Sequence, residues 1–186
     1  MGTEIEQRLA RLEAIEAISR LQYDYGIACD DGYHPERLSA MFTEDAVWSR
    51  TLGDGDATRE FVGRSRIAAH FSESPKRFLW GMHNCLPIRI DVEPGSRRAF
   101  GVWRLLMPCV VLLDGEPTDF WVAGRYENDY VEHDGVWRFQ TVRMIYEVAA
   151  PIRSGWPPRL LDPRLFAASH VQLKNYEQQG DAKCQA

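Results

Sequence analysis

The chain lacks the features that mark several large functional classes. Its four cysteines (Cys29, Cys85, Cys109 and Cys184) are scattered, with no Cys-x-x-Cys and no tight pairing with histidine. A zinc cage needs clustered thiolate or imidazole ligands, so neither a metal site nor a disulfide framework is expected. Positive charge is also in deficit: 22 Lys and Arg stand against 27 Asp and Glu, a formal net charge of −5. No basic stripe could track a phosphate backbone, which argues against a nucleic-acid partner. The longest apolar run, Leu105 to Leu113, contains Pro108 and is too short to cross a bilayer, so no membrane partner is expected. The first residues, Met-Gly-Thr-Glu-Ile-Glu, are acidic where a secretion signal would be basic and then apolar. The expected location is therefore the cytoplasm, with the thiols reduced. There is no P-loop, no Gly-x-Gly-x-x-Gly and no internal repeat.

What is present is an ordinary globular composition, 45% hydrophobic and 26% charged over 186 residues, enough for one domain. Ile5, Leu9, Leu12, Ile15, Ile18, Leu21 and Tyr25 recur at helical steps. Thr3 with Glu6 forms a capping-box pattern at the start of this helix. Gly32, after Cys29-Asp30-Asp31, suits the left-handed turn that ends it. A second helix is expected from Pro35 to Phe42, a short strand at Ala46 to Trp48, and a glycine-rich loop at 53–56. A third helix is expected after Gly63, closed by Pro75. From residue 78 the period becomes strand-like. A long strand from Phe78 to Val92, interrupted at Pro87, leads into strands at Arg98–Leu113, Thr118–Glu132 and Val136–Val148. Asp114-Gly115 and Asp134-Gly135 supply hairpin turns. Helices followed by an antiparallel meander make an α+β domain over residues 1–150. Residues 151–186 read as a C-terminal extension, partly disordered.

Candidate chemistry lies at three places. On the last strand, alternation puts Arg143 on one face with Trp137, Phe139, Thr141 and Ile145. A guanidinium on an apolar face requires a carboxylate or an anionic ligand. Asp30 and Asp31 end the first helix, where carboxylates oppose the macrodipole; turn or cap chemistry would explain them as well as function would. His83 sits in the aromatic stretch Trp80-Gly-Met-His-Asn-Cys85 and reads either as a packed core residue or as a general base. The remaining aromatics on the strands are core by default, although a sheet that curves must turn some of them into a pocket.

Two runs resemble the SnoaL-like, NTF2-superfamily proteins: Leu21-Gln-Tyr-Asp-Tyr-Gly-Ile-Ala-Cys-Asp-Asp-Gly with Leu38 to Trp48, and Gly124 to Phe139. The resemblance implies a cone, with N-terminal helices packed on a strongly curved, mostly antiparallel sheet that encloses a pocket. It points to the branch of scytalone dehydratase, hexachlorocyclohexane dehydrochlorinase and bile-acid 7α-dehydratase. There an Asp after the first helix orients a strand His that removes a substrate proton. By spacing to Leu38 and Phe42, Asp31 is expected to be that aspartate, His83 the base and Arg143 the stabiliser of negative charge, without metal or cofactor. Tyr25, Trp48, Trp80, Trp103, Trp121 and Tyr146 are expected to line a site for a small apolar or aromatic, cyclic molecule. Two departures stand out. Five residues before Asp31, where the bile-acid enzyme has its tyrosine, stands Gly26, and a strand position that is acidic there is Met107. The expected activity is a dehydratase-type or dehydrohalogenase-type lyase that assembles as a homodimer or homotrimer. The same superfamily also includes isomerases, cyclases and non-catalytic small subunits of ring-hydroxylating dioxygenases, which remain open alternatives.

Overall fold

A computed structural model describes residues 3–52, 59–93 and 95–154 of the chain. Helix α1 spans Glu4–Asp30 and starts in the capping box: the Thr3 hydroxyl accepts from the Glu6 amide, and the Glu6 carboxylate accepts from the Thr3 amide at 2.5 Å. It ends where Gly32 takes a positive φ of 87°. Its apolar period overstates its contact with the core. Ile18, Tyr25, Ala28 and Cys29 are buried, but Ile5, Leu9 and Leu12 are 76, 53 and 61% exposed, because the first turns project past the sheet.

Helix α2 is shorter than expected, Pro35–Ser39, and strand β1 longer, Phe42–Leu52. Strand β2 (Arg59–Val62) and helix α3 (Arg64–Glu73) follow, and Pro75 lies in the short 3₁₀ turn that ends α3. The glycine-rich loop at 53–56 and most of the C-terminal extension lie outside the described residues. The strand expected from Phe78 to Val92 is two strands, β3 (Phe78–Gly81) and β4 (Asn84–Val92), broken at Met82 and His83. The register also shifts between Pro87 and Arg89, as a proline without an N–H would require. Strands β5 (Arg98–Leu113), β6 (Glu116–His133) and β7 (Val136–Pro151) complete the meander. Asp114-Gly115 and Asp134-Gly135 all have positive φ, the backbone that two-residue hairpin turns demand.

All seven strands form one open sheet in the order β2-β1-β7-β6-β5-β3, with β4 also on the free edge of β5. Every pairing is antiparallel except β1 with β7. Burial alternates residue by residue along β5 and β6, so one face is core and the other is not. The inner face, toward the helices, carries Trp103, Leu105, Met107, Tyr126, Tyr130 and Phe139, all buried. Tyr25 of α1 packs edge-on against Tyr126 and Phe139, with ring centroids at 6.0 and 5.4 Å. A buried polar knot joins the helix to the sheet. The Asn128 amide donates to Gln22 at 2.8 Å, and Trp103 Nε1 donates to the Tyr130 hydroxyl at 2.9 Å. That hydroxyl in turn reaches Gln22 at 3.2 Å.

Two bulges reset β7. Tyr130 pairs with Phe139 but Asp129 with Thr141, so Gln140 is an extra residue; a second shift falls at Ala123/Gly124. A Cβ at Gly124 would collide with the Ile145 carbonyl oxygen, so glycine is what lets β6 and β7 close at the second bulge. After the first bulge the inner residues are Val142, Met144 and Tyr146, opposite Trp48, Arg50 and Leu52 of β1. Among the described residues no helix is long and apolar enough to cross a membrane, and no group of three or more His, Cys, Asp or Glu is placed to hold a metal ion.

Candidate active site

The break between β3 and β4 frees the residue that extended alternation could not place. His83 has no strand partner and turns its ring to the C-terminal end of α1. There Nδ1 lies 2.5 Å from Asp30 Oδ1, while the backbone N–H of His83 donates to both oxygens of the same carboxylate at 3.0 and 2.9 Å. One carboxylate thus fixes the main chain and the imidazole together. With Nδ1–H donating to Asp30, Nε2 keeps its lone pair, the tautomer a base requires. The His83 side chain is 6% exposed and that of Asp30 27%.

The helix backbone makes this approach possible. A Cβ at Gly26 would lie 3.3 Å from the His83 Cβ, so the absence of a side chain there lets the start of β4 sit against α1. Tyr33, held in the left-handed region at φ 55°, sets its ring edge-on to His83 at 6.2 Å and stacks on Phe71 at 6.5 Å. A bulky residue in that conformation is uncommon and costs of order 1 kcal/mol, which the buried ring contacts offset.

The expected pairing of Asp31 with His83 is therefore replaced by its neighbour. Asp31 caps α1 and turns outward to Arg37, an exposed ion pair at 3.1 Å. On a helix adjacent side chains point about 100° apart, so only one of two consecutive aspartates can face the strand. The face expected for Arg143 is also corrected. The bulge at Gln140 moves it off the apolar face to the outer side of the sheet, where it lies 3.6 Å from Glu127. It belongs there to a string of charges in which Arg125 and Arg104 both pair with Glu147.

The aromatic residues divide. Tyr25, Trp48 and Tyr146 face the interior, and Trp48 Nε1 donates to the Tyr25 hydroxyl at 3.1 Å. Burial pushes the pKa of Tyr25 and Tyr146 up, so both phenols keep their protons at neutral pH. Trp103 is wholly buried in the polar knot rather than lining a pocket. Trp121 pairs with Pro108 on the outer face, and Trp80 is half exposed on an edge strand. Met107 is on the inner face, where a Cβ at Gly81 would touch it at 3.4 Å.

Residues unremarked in the sequence also meet here. Arg50 is 8% exposed on the inner face of β1, and His70 of α3 stacks on Phe61 at 4.2 Å and lies 4.5 Å from Trp48. Burial, followed by the charges of Arg50, Arg59 and Arg77, lowers the pKa of His70 to about 3. The short strand expected at Ala46 to Trp48 stops before Arg50, which the longer β1 includes. A separate open groove of about 720 Å³ lies among Thr43, Asp45, Arg64, Arg97, Glu132 and Arg138, and none of the dyad residues lines it.

The SnoaL-like domain family matches the chain over residues 10–143. Comparison with curated proteins finds no match. Among solved structures, a hexachlorocyclohexane dehydrochlorinase (LinA) of type 2 is similar at 21% identity and a TM-score of 0.66, over 77% of this chain and 92% of that one. A LinA-type3 hexachlorocyclohexane dehydrochlorinase from Novosphingobium barchaimii LL02 gives 22% identity and 0.64, over 77 and 93%. A protein from Novosphingobium aromaticivorans DSM 12444 that bears the name putative scytalone dehydratase gives 24% and 0.63, over 75 and 88%. At these identities the likeness establishes the fold.

Proposed function

The chain belongs to the SnoaL-like domain family, and from that premise we propose that it is a lyase in which His83, oriented by Asp30, removes a proton next to a leaving group. The observation that carries this reading is the 2.5 Å contact between His83 Nδ1 and the Asp30 carboxylate on a ring that is almost wholly enclosed. Nε2 takes the proton from carbon, and the electron pair left behind forms a double bond as the hydroxyl or halide departs. Asp30 stabilises the imidazolium that forms, without itself taking the proton.

The exchange of Asp31 for Asp30 also bears on the missing acid. Five residues before Asp30 stands Tyr25, the spacing at which the resemblance to bile-acid 7α-dehydratase places a tyrosine. Its hydroxyl accepts from Trp48, while burial holds its own proton on it, and that proton can be donated to a departing oxygen. In this reading Arg143 has no part in the chemistry. The outer face carries Leu86, Leu106 and Leu112 at 58, 41 and 41% exposure, which supports self-association as a dimer or trimer.

The test is a panel of hydroxylated and halogenated rings followed by mass spectrometry. Elimination appears as loss of water or hydrogen halide, whereas an isomerase or cyclase returns a product of unchanged mass. On a converted substrate His83→Asn is expected to lower kcat by about 10²–10⁴-fold. Full activity in that variant would remove the assignment.

A further inference from the structure

Strand β4 leaves one edge of the sheet open. Among the described residues it pairs only with β5, and of its side chains only Cys85 is buried. Residues two apart on an antiparallel strand direct their N–H and C=O groups to the same side. The Glu93 amide donates to the Arg98 carbonyl at 3.3 Å, which places the backbone groups of Asp91 and Arg89 on the β5 side. Ile88, Ile90 and Val92 therefore turn theirs outward, where no described strand receives them. Open edges are usually blunted by lysine, proline or a bulge. Here Pro87 and the bulge after it blunt only the first half. The run Ile88-Arg-Ile-Asp-Val92 keeps a β-branched residue at every second position and carries no such device.

The charges on this run decide what can pair with it. Arg89 and Asp91 are opposite Val102 and Phe100 of β5, which puts both on the outer face, and they contact each other at 2.7 Å. Their side chains are 61 and 55% exposed, and the Arg89 guanidinium also lies over the Phe100 ring at 5.7 Å. Ile90 and Val92 are on the inner face, half-buried at the rim of the core. A two-fold axis through Ile90, perpendicular to the sheet, sets Arg89 opposite Asp91 of a second copy, and Asp91 opposite Arg89 of that copy. It also sets Ile90 opposite its own equivalent and Ile88 opposite Val92 of the second copy. A parallel approach in the same register opposes Arg89 to Arg89 and Asp91 to Asp91, which is destabilising. The run is thus complementary to itself in one orientation only. We propose that β4 is a pairing edge at which two copies of this chain join antiparallel about Ile90, making one sheet that runs through both. Each copy exchanges backbone hydrogen bonds through Ile88, Ile90 and Val92, while the Arg89–Asp91 pairs of both copies merge on the outer side. The pairing rests on the self-association proposed above and not on the lyase reading. Because a two-fold contact closes on itself, it commits the chain to a dimer.

Sedimentation velocity across a concentration series at low salt tests it. The full chain is expected to show a reversible monomer–dimer equilibrium that weakens as salt screens the exposed charges. Arg89→Asp and Asp91→Arg each oppose like charges at both contacts, and each should raise the dimer Kd by about tenfold or more. An equimolar mixture of those two variants restores the complement, so it should form a heterodimer with close to the wild-type Kd. The double variant, Arg89→Asp with Asp91→Arg, should dimerise with itself again. Ile90→Pro removes an N–H that points away from β5, so it should abolish pairing while the monomer keeps its circular dichroism. If that variant does not fold, the charge reversals decide. A chain that is monomeric throughout the series overturns both this pairing and self-association. A trimer, or a dimer unmoved by the charge reversals, overturns only the β4 pairing and transfers the contact to the outer face around Leu106 and Leu112. Loss of the dimer in both single variants without recovery in their mixture also overturns it, because charge complementarity is then not what selects the partner.

Discussion

Replacing Asp30 and Asp31 one at a time by alanine separates two carboxylates that adjoin in the chain but occupy different environments. Asp30 receives two backbone hydrogen bonds and one from the His83 ring, with its side chain 27% exposed and that of His83 6%. Hydrogen bonds to a charged group contribute about 1.5–3 kcal/mol each when buried, less when solvent can replace them. The two backbone bonds share one N–H and count as one, so Asp30→Ala should destabilise the fold by about 2–4 kcal/mol. Asp31 makes one ion pair with Arg37, in which the side chains are 65 and 43% exposed. Exposed pairs contribute about 0–1 kcal/mol, so Asp31→Ala should change stability by less than about 1 kcal/mol. Urea denaturation at pH 7 resolves such a gap through the midpoints, provided the slopes agree. Asp30→Asn adds a chemical readout. Its amide NH₂ can donate to Nδ1, which moves the ring proton to Nε2 and removes the base; imidazole ¹⁵N shifts report that exchange. Equal destabilisation by the two alanine variants, or an unchanged tautomer in Asp30→Asn, would refute the assignment of the dyad.

Two further expectations come from the same region. His70, with a pKa of about 3 in the fold against 6.5 in the open chain, leaves the unfolded state binding the extra proton between those values. Stability is therefore lost as pH falls below 6.5, by about 2 kcal/mol between pH 7 and pH 5, and His70→Gln should abolish that share of the acid sensitivity; parallel pH profiles of the two proteins would count against it. Gly26→Ala should favour the helix by up to about 1 kcal/mol while its Cβ crowds His83 at 3.3 Å, so turnover should fall with little loss of melting temperature. Unchanged activity in that variant would mean that His83 tolerates displacement from Asp30.

Signals that act over three or four residues are legible in the sequence. The Thr3–Glu6 box, Gly32, and the Asp-Gly turns at 114 and 134 each specify local backbone geometry, and each stands where its chemistry put it. The elements that depend on a distant partner were not legible. Strand β1 extends to Leu52 because β7 offers a parallel ladder to pair with, a partner about 90 residues away that no local pattern announces. The exposed Ile5, Leu9 and Leu12 show the converse, a helical period without a surface to meet it.

The two site residues that moved did so for one geometric reason. A side chain's direction depends on its count along the element, and a count is only as good as its origin. At the end of α1, Asp30 and Asp31 differ by one step, and only the position of β4 against Gly26 selects Asp30. On β7 the alternation from Trp137 is sound until Gln140, whose extra residue inverts the side chains from there to the second bulge at Glu147. Arg143 goes outward to Glu127, and Tyr146 comes inward beside Arg50. The inner face consequently carries Arg50 of β1 in place of the cation expected on β7.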